Sequence, residues 1–441
     1  MASPLETFVN TVRNMSTQGN LKDLHGFLNK SSDMLVKNSS QLDTVLETLD
    51  FEAQSMGVLA VLCVKLHSGP QGNDFEILFH QVKKLIDSCN PEQLKFASDS
   101  FAEMCHMLTI GLVNNQIPFI GLELMVKAIA LLQSSPTQLT SVHSDLLLLC
   151  LKSNQLKFAQ KYLVDMTDVN NENGTFDSRY FLSYFCYAAH IHTALKQFER
   201  AIYCYEVCVT MPALAVSHIM LEAYKRYVLL SLMIHGKLPV LPKYTSPVVH
   251  RYVRPLAQPY LDLATAFGSN TIAPLTAAFQ KHQDVFTRDA NVGLVKQVIK
   301  SWYRKVIQKL TQTFMTLSLN DMATRVGLAS GAEAEKLVLN MIEEGEIYAT
   351  ISQDDSGSGM VIFHDNPDRH DNKRTMLRLQ NSVDRIIELN QLLVGMDREV
   401  SVNPVYVKKA SGMIEEMENS QDRSSQGYEK ISAPKITTYP L

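Results

Sequence analysis

The sequence predicts an all-α protein: a solenoid of tetratricopeptide-like helical repeats leading into a winged-helix module, then a C-terminal bundle helix. Three observations lead to this fold class. Apolar residues recur at steps of three and four along most of the chain, and a helical pattern returns after about forty residues in the middle. Strand-like alternation is almost absent before residue 345.

The composition is that of a globular protein with more than one folded unit. At 441 residues the chain exceeds the roughly 250–300 residues at which a single hydrophobic core stops growing. Its formal charge of −4 argues against a dedicated nucleic-acid binder, which usually carries a large positive excess. The seven cysteines are odd in number and lie within apolar patterns, as free thiols do in a reducing compartment.

Neither a targeting segment nor a membrane span is predicted. The first thirty residues are amphipathic and lack a continuous apolar core. The most apolar runs, such as 146–151 and 228–234, fall far short of the ~20 residues that cross a bilayer. We therefore expect a soluble intracellular protein with no membrane partner.

Residues 1–195 predict N-terminal helical repeats. Leu5, Phe8 and Val12 begin a series of apolar positions at helical spacing, and the spacing resumes after breaks such as Gly19-Asn20. Such spacing places the apolar side chains on one stripe of each short helix.

A repeat of helix pairs is indicated in the middle of the chain. The pattern Leu156–Leu163, with a small residue at Ala159, returns as Phe198–Tyr205 with Ala201. A small residue at this position lets the paired helix approach closely, and stacked pairs form a solenoid, here expected to be right-handed. The repeats continue into the next predicted domain, residues 196–366. Six prolines between residues 238 and 274 mark either a joint after the solenoid or a surface loop.

A winged-helix module is predicted at about residues 311–365. Ser318 and Asp321 occupy the positions of a capping box that opens a short helix. A second helix, Ala332–Glu344, follows a glycine-containing turn. Glu346–Ser352 and Met360–His364 then alternate as two strands joined by a polar turn. Two helices and a two-stranded wing make up this module.

Residues 367–410 predict a C-terminal assembly helix. Apolar residues recur there in near-heptad spacing from about Asn372 to Val402, and a stripe of this length needs burial. Asn390 interrupts the stripe, where a polar residue commonly fixes register or partner choice. A helix folded back on the solenoid is the alternative. Residues 411–441 turn to Ser, Glu, Asp, Gln and Pro, a composition that predicts a disordered tail.

The cysteines and histidines of the repeat region do not predict a metal site. Cys186 and His190 stand one helical turn apart, as do Cys204 and Cys208, so the two pairs could supply four zinc ligands. The same positions fit a packed seam between helices, where cysteine acts as a small hydrophobe. We favour the seam.

No catalytic or cofactor site is predicted either. His190-Ile-His192 resembles the start of the metal motif of zinc isopeptidases, but that motif's later Ser and Asp are Arg200 and Tyr203 here. No glycine-rich phosphate loop, nucleophile elbow or cysteine-protease signature is present in the sequence. We expect neither an enzyme nor a cofactor.

A basic stretch precedes the winged helix, comprising Lys296, Lys300, Arg304, Lys305 and Lys309. A winged helix beside a basic helix could bind a duplex. The presumed recognition helix, however, carries four glutamates against one lysine, which would repel phosphates. Nucleic acid is therefore disfavoured, and a solvated face or a patch for an acidic protein partner is the preferred interpretation.

The layout of helical repeats running into a winged helix resembles the PCI domain shared by the proteasome lid, the signalosome and initiation factor three. Several stretches are more specific and resemble the subunit 3 family of the constitutive photomorphogenesis 9 signalosome. They span most of the chain: Leu42–Leu46, Ala215–Glu222, Leu241–Ser246, Phe286–Asp289, Gly293–Gln297, Thr316–Leu319 and Phe363–Pro367. The glycine- and serine-rich wing turn, Asp355–Gly359, and the segment after Ala410 depart from the family.

The resemblance implies a non-catalytic scaffold subunit of the complex that removes a ubiquitin-like modifier from cullins. Its expected partners are other PCI and metalloprotease-type signalosome subunits and, indirectly, cullin–RING ligases. The alternatives are a PCI subunit of the proteasome lid or of initiation factor three, or a winged-helix nucleic-acid binder. Interaction residues are expected in the wing, at Ile347, Tyr348, Ala349, Ile351, Met360 and Ile362, and on the C-terminal helix, at Met376, Leu379, Val383, Ile386, Asn390 and Leu393.

Overall fold

The described part of the chain is mostly helical. A computed structural model describes residues 4–69, 73–135, 137–163, 168–169, 177–213, 215–269, 271–353, 359–365, 372–409 and 411. Its first helices are α1 (Pro4–Gln18), α2 (Leu21–Lys37), α3 (Leu42–Thr48), α4 (Ser55–His67), α5 (Asn73–Ser88), α6 (Pro91–Phe96), α7 (Ser98–Asn114), α8 (Gly121–Leu132), α9 (Val142–Lys152), α10 (Leu156–Ala159), α11 (Ser178–Ala194) and α12 (Phe198–Thr210).

The second half of the chain adds nine described helices and a small sheet. The helices are α13 (His218–His235), α14 (Arg254–Leu256), α15 (Gln258–Phe267), α16 (Ala273–Lys281), α17 (Gln283–Arg288), α18 (Val292–Thr311), α19 (Leu319–Val326), α20 (Gly331–Glu343) and α21 (Lys373–Val402). The strands are the short parallel pair β1 (Gln138–Leu139) and β2 (Asp168–Val169), and then β3 (Thr316–Ser318), β4 (Ala349–Gln353) and β5 (Gly359–Phe363).

The repeat helices stack in two layers. In one layer, α2, α4, α7, α9, α11 and α13 follow each other, each in contact with the next. In the other layer, α5 packs against α4 and α8, α8 against α9, and α12 against α11 and α13. Each helix pair therefore covers the open face of its neighbour, as in a solenoid. This arrangement confirms the predicted fold class.

The turns between paired helices repeat the same backbone geometry without glycine. Gln116, Asn154, Lys196 and Ala290 follow α7, α9, α11 and α17 with φ between 53° and 60°. After each of them, the next backbone N–H donates across the turn to a carbonyl five residues back, for example Gln197 to His192 at 2.9 Å. This Schellman turn usually places glycine at the left-handed position. The pattern recurs after 38 and 42 residues from Gln116 to Asn154 to Lys196, close to the predicted repeat.

The buried hydrophobic side chains form two separate cores. One continuous cluster of buried side chains runs from Leu5 to Trp302, through the predicted boundary at residues 195–196. A second cluster runs from Ile307 to Phe363 and belongs to the winged-helix module. Tyr303 and Val306 on α18 pack against both clusters. The module thus has its own core and is joined to the solenoid through one helix.

The winged helix forms where the sequence predicts it, with one additional strand. Ser318 Oγ accepts the backbone N–H of Asp321 at 3.1 Å and caps α19, and Gly327 ends that helix with a φ of 80°. The predicted two-stranded wing is a three-stranded antiparallel sheet in the order β3-β5-β4. β3 was not predicted because its three residues precede α19 directly and show too little alternation.

The C-terminal helix α21 matches its predicted bounds, with Asn372 at its N-cap. Residues 1–363 form one compact unit and residues 364–441 form another. The wing turn at 354–358 and the tail at 412–441, both singled out in the sequence, lie outside the described residues.

Candidate assembly surfaces

The wing presents a sheet edge. Within the described residues, β4 pairs with β5 alone, through the register Thr350↔Ile362 and Ser352↔Met360. On the other side of β5, the N–H of Phe363 donates to the carbonyl of Met315 at 2.9 Å. Successive residues of a strand direct their backbone N–H and C=O groups to opposite sides, so Ile362 and Met360, which alternate with Phe363, bond towards β4. Their partners Thr350 and Ser352 therefore bond towards β5. The backbone groups of Ala349, Ile351 and Gln353 therefore point towards the outer edge.

The predicted wing residues fall on two faces of this sheet. Ile347 is buried, and Ala349 and Ile351 pack at the margin of the module's own core. Tyr348 is 37% exposed, and Met360 and Ile362 are half-buried. For Ala349 and Ile351, only the backbone faces the outer edge, and their side chains pack against the core of the module.

Helix α20, the predicted recognition helix, is held to α18 by acidic residues at its C-terminal end. Arg304 on α18 forms ion pairs with Glu344 and, at 2.9 Å, with Glu346. The hydrogen bond from Arg304 lowers the pKa of Glu344. Ser330 caps the start of α20 by accepting the N–H of Glu333. This surface presents carboxylates where a duplex binder would need cations.

Helix α21 exposes its apolar residues. None of its residues is buried. The predicted stripe is 52–74% exposed at Met376, Leu379, Val383, Ile386 and Leu393, and Asn390 is exposed among them.

Helix α21 has a second group of exposed apolar side chains that the heptad pattern did not predict. From residue 386 onward, five apolar side chains that were not assigned to the stripe are also exposed, each by 42–51%: Ile387, Leu389, Leu392, Val394 and Met396. At 100° per residue the two groups together cover more than half of the circumference. An apolar surface of this width suits a helix that packs against several neighbours at once.

Buried polar contacts position α18 on the solenoid. Lys225 on α13 lies 2.8 Å from both Glu222 Oε1 and Asp289 Oδ2. The hydroxyl of Tyr260 donates to Asp289 at 3.0 Å and accepts from Asn291 at 3.0 Å. Burial would raise the pKa of Asp289, but hydrogen bonds from Lys225 and Tyr260 and the nearby positive charges outweigh it and lower the pKa.

This network explains two of the sequence stretches that carry the resemblance. Glu222 ends one of them and Asp289 ends the other, and both contact the same lysine. Their role in this structure is to fix the helices that lead into the winged helix.

The cysteine–histidine seam is packed. Cys186 Sγ lies 4.0 Å from His190 Nδ1, and the His190 ring meets Tyr205 edge-on at 5.8 Å. Burial lowers the pKa of His190 to about 3 and raises that of Cys208. Among the described residues, no group of three or more His, Cys, Asp or Glu side chains is placed to hold a metal ion.

Comparison with known proteins identifies the family. Residues 18–249 match the family described as COP9 signalosome complex subunit 3, N-terminal helical repeats, and residues 279–365 match the PCI domain. The chain belongs to the COP9 signalosome subunit 3 family. It is 41% identical to COP9 signalosome complex subunit 3 of Drosophila melanogaster over 429 residues, covering 93% of this chain and 96% of the relative.

A second member of the signalosome subunit 3 family, from Dictyostelium discoideum, is 34% identical over 412 residues, covering 92% of this chain and 96% of the relative. The family matches end at residue 365, before α21. Of the helices in the described part of the chain, none combines the length and apolarity that crossing a bilayer requires.

Proposed function

We propose that this chain is a non-catalytic scaffold subunit of the COP9 signalosome, the complex that removes a ubiquitin-like modifier from cullins and thereby regulates cullin–RING ligases. Family membership over more than nine-tenths of the chain supports this role. It favours the signalosome over the proteasome lid and initiation factor three, which were the alternatives with the same fold.

The apolar surface of α21 carries the proposal. The helix spans 30 residues and has no buried residue. Burying one large aliphatic side chain stabilises a structure by roughly 1.5–3 kcal/mol, so a helix with this many exposed ones gains much from a partner. We propose that α21 packs in a bundle with helices of other signalosome subunits.

The edge of β4 supplies a second contact. An edge strand with outward backbone groups can accept a strand from another protein, and Tyr348 adds a partly exposed aromatic ring beside it. We propose that this edge docks a PCI-type neighbour. The metalloprotease activity belongs to another subunit, and contact with cullin–RING ligases is indirect.

We also propose that the protein acts in both cytoplasm and nucleus. Its seven cysteines are free thiols, five of them buried, which fits a reducing compartment. Cell fractionation or imaging of the tagged chain should find it in both compartments, and confinement to one would contradict this assignment.

Affinity purification of the tagged full chain from cells, followed by mass spectrometry, tests the scaffold role. We expect signalosome PCI and metalloprotease-type subunits in near-stoichiometric amounts. Recovery of proteasome-lid or initiation-factor subunits in their place, or of the chain alone, would contradict the proposal.

A further inference from the structure

A cleft of about 1050 Å³ opens where the last repeat helices meet the winged-helix module. Its walls come from the start of α12, the end of α13, α18 and α20. The two hydrophobic cores meet at α18, so the cleft follows the junction between the solenoid and the module. This volume is slightly above the usual range for small-molecule sites, and the cleft is open to solvent.

The cleft has an apolar floor. Phe198 and Met233 line it from the solenoid, and Leu328 and Leu337 line it from the winged helix. All four side chains are only partly buried. Partly exposed apolar side chains in a concave surface can receive an apolar side chain of a ligand.

The rim of the cleft is positively charged. Five lysines and arginines and three glutamates line it, an excess of two positive charges in a chain whose net charge is −4. Lys196, Lys300 and Lys336 are exposed and have no ion-pair partner within the described residues. Arg304 is already engaged by Glu344 and Glu346. The three lysines are therefore the cations available to a ligand.

A half-buried lysine and a lysine in a strained backbone conformation also contribute to this rim. Lys305 reaches across the base of the cleft, and its Nζ donates to the carbonyl of Ile234 at 2.6 Å. Lys196 occupies the left-handed position of its turn, with a φ of 59°, where glycine would be less strained. The charge of Lys196 helps to lower the pKa of Glu344 across the cleft. Lys196 thus places its positive charge near Glu344 although its backbone conformation is strained.

We propose that this cleft binds an acidic peptide segment of a partner protein, with carboxylates on Lys196, Lys300 and Lys336 and an apolar side chain on the floor. The volume of the cleft is far larger than a single small anion fills. The three rim glutamates disfavour nucleic acid, because they interrupt the cationic track that a phosphate backbone needs. The residues that line the cleft belong to neither α21 nor β4, so the proposal goes beyond the scaffold role.

Two lysines on α18 provide a matched pair for the test. Lys300 lines the cleft, whereas Lys296, one helical turn earlier and also exposed, is not among the lining residues. The probe is a fluorescein-labelled 12-residue peptide of glutamates interrupted by two leucines, measured by fluorescence anisotropy with the full-length chain at 50 mM salt. An all-glutamate peptide, a lysine–leucine peptide and a 12-nucleotide single-stranded RNA serve as comparison probes.

The glutamate–leucine peptide should bind the wild type, more tightly than any comparison probe. Lys300→Glu/Lys336→Glu should weaken it at least about tenfold, because two attractive charges become repulsive. Lys296→Glu should change the Kd by less than about twofold, and 500 mM salt should weaken binding in the wild type. Equal thermal unfolding of all variants shows that folding is retained. If the double variant unfolds, Lys300→Gln/Lys336→Gln replaces it, with about threefold weakening expected.

Absence of peptide binding would overturn the proposal, as would equal loss in Lys296→Glu. RNA that binds more tightly than the peptide and depends on the same lysines would assign the cleft to nucleic acid instead. Because these measurements use the isolated chain, a negative result leaves the scaffold role untouched. Failure to co-purify signalosome subunits would likewise say nothing about the cleft.

Discussion

Removing Lys225 should destabilise the protein far more than removing a lysine from a surface ion pair. Lys225 is 8% exposed and lies 2.8 Å from two carboxylates, one of them the 7%-exposed Asp289. Lys225→Ala removes the buried cation that both acids share and leaves Asp289 only the exposed Arg288 at 3.5 Å. Breaking a buried pair in this way costs about 3–5 kcal/mol. Lys127 and Asp87 form the matched control, because their side chains are 45% and 40% exposed. Lys127→Ala should cost no more than about 1 kcal/mol.

A double-mutant cycle separates the pair from its surroundings. Asp289→Asn keeps an oxygen that can accept from Tyr260, so its cost should be about 1–3 kcal/mol. The coupling energy between Lys225→Ala and Asp289→Asn should be at least about 1 kcal/mol in urea unfolding. Additive effects, or a Lys225→Ala loss equal to that of the Lys127 control, would refute the buried-network account.

The same network predicts an acid dependence. The folded-state pKa of Asp289 is lowered, so its contribution is fully present above the unfolded pKa of about 3.9. The contribution is then lost as the pH falls through the folded-state value. Unfolding midpoints measured between pH 7 and pH 2 should fall less steeply in Asp289→Asn than in the wild type. Parallel curves for the two proteins would contradict this assignment.

Three further outcomes are expected. Lys196→Gly should raise the free energy of unfolding by about 1 kcal/mol, because glycine adopts the left-handed turn without strain; a lower thermal midpoint would refute this. Ala349→Pro should weaken assembly but spare the fold, since its N–H points to the outer edge, whereas Thr350→Pro should unfold the sheet; equal effects in both would refute the edge assignment. Elemental analysis should find no stoichiometric zinc, and one zinc per chain lost on mutating Cys204 and Cys208 would contradict the packed seam.

The helical architecture was predictable because it depends on local sequence patterns. The cap at Ser318, the glycine stop at Gly327 and the heptad stripe of α21 depend on residues within one or two turns of each other, so spacing alone located them. The left-handed turns at Gln116 and Lys196 could not be predicted from the sequence, because residues other than glycine rarely adopt this conformation.

Long-range features were beyond reach of the sequence patterns. Lys225 and Asp289 are 64 positions apart, and nothing in their separate helices shows that they meet. The basic stretch on α18 looked uniform in sequence. In the fold, Arg304 is bound by glutamates, Lys305 is drawn to a carbonyl and Lys300 faces the cleft. Charge spacing identified the helix but not the task of each residue.

The proposed bundle role of α21 has one direct test, the recovery of partner subunits with truncated chains. A chain ending at residue 371 lacks α21, and a chain ending at residue 410 retains it and lacks only the tail. Both should stay folded, because residues 1–363 form a compact unit of their own. Quantitative co-purification should show partner subunits at wild-type levels with the longer chain and at least about tenfold lower levels with the shorter one. Equal recovery with both chains would contradict the account.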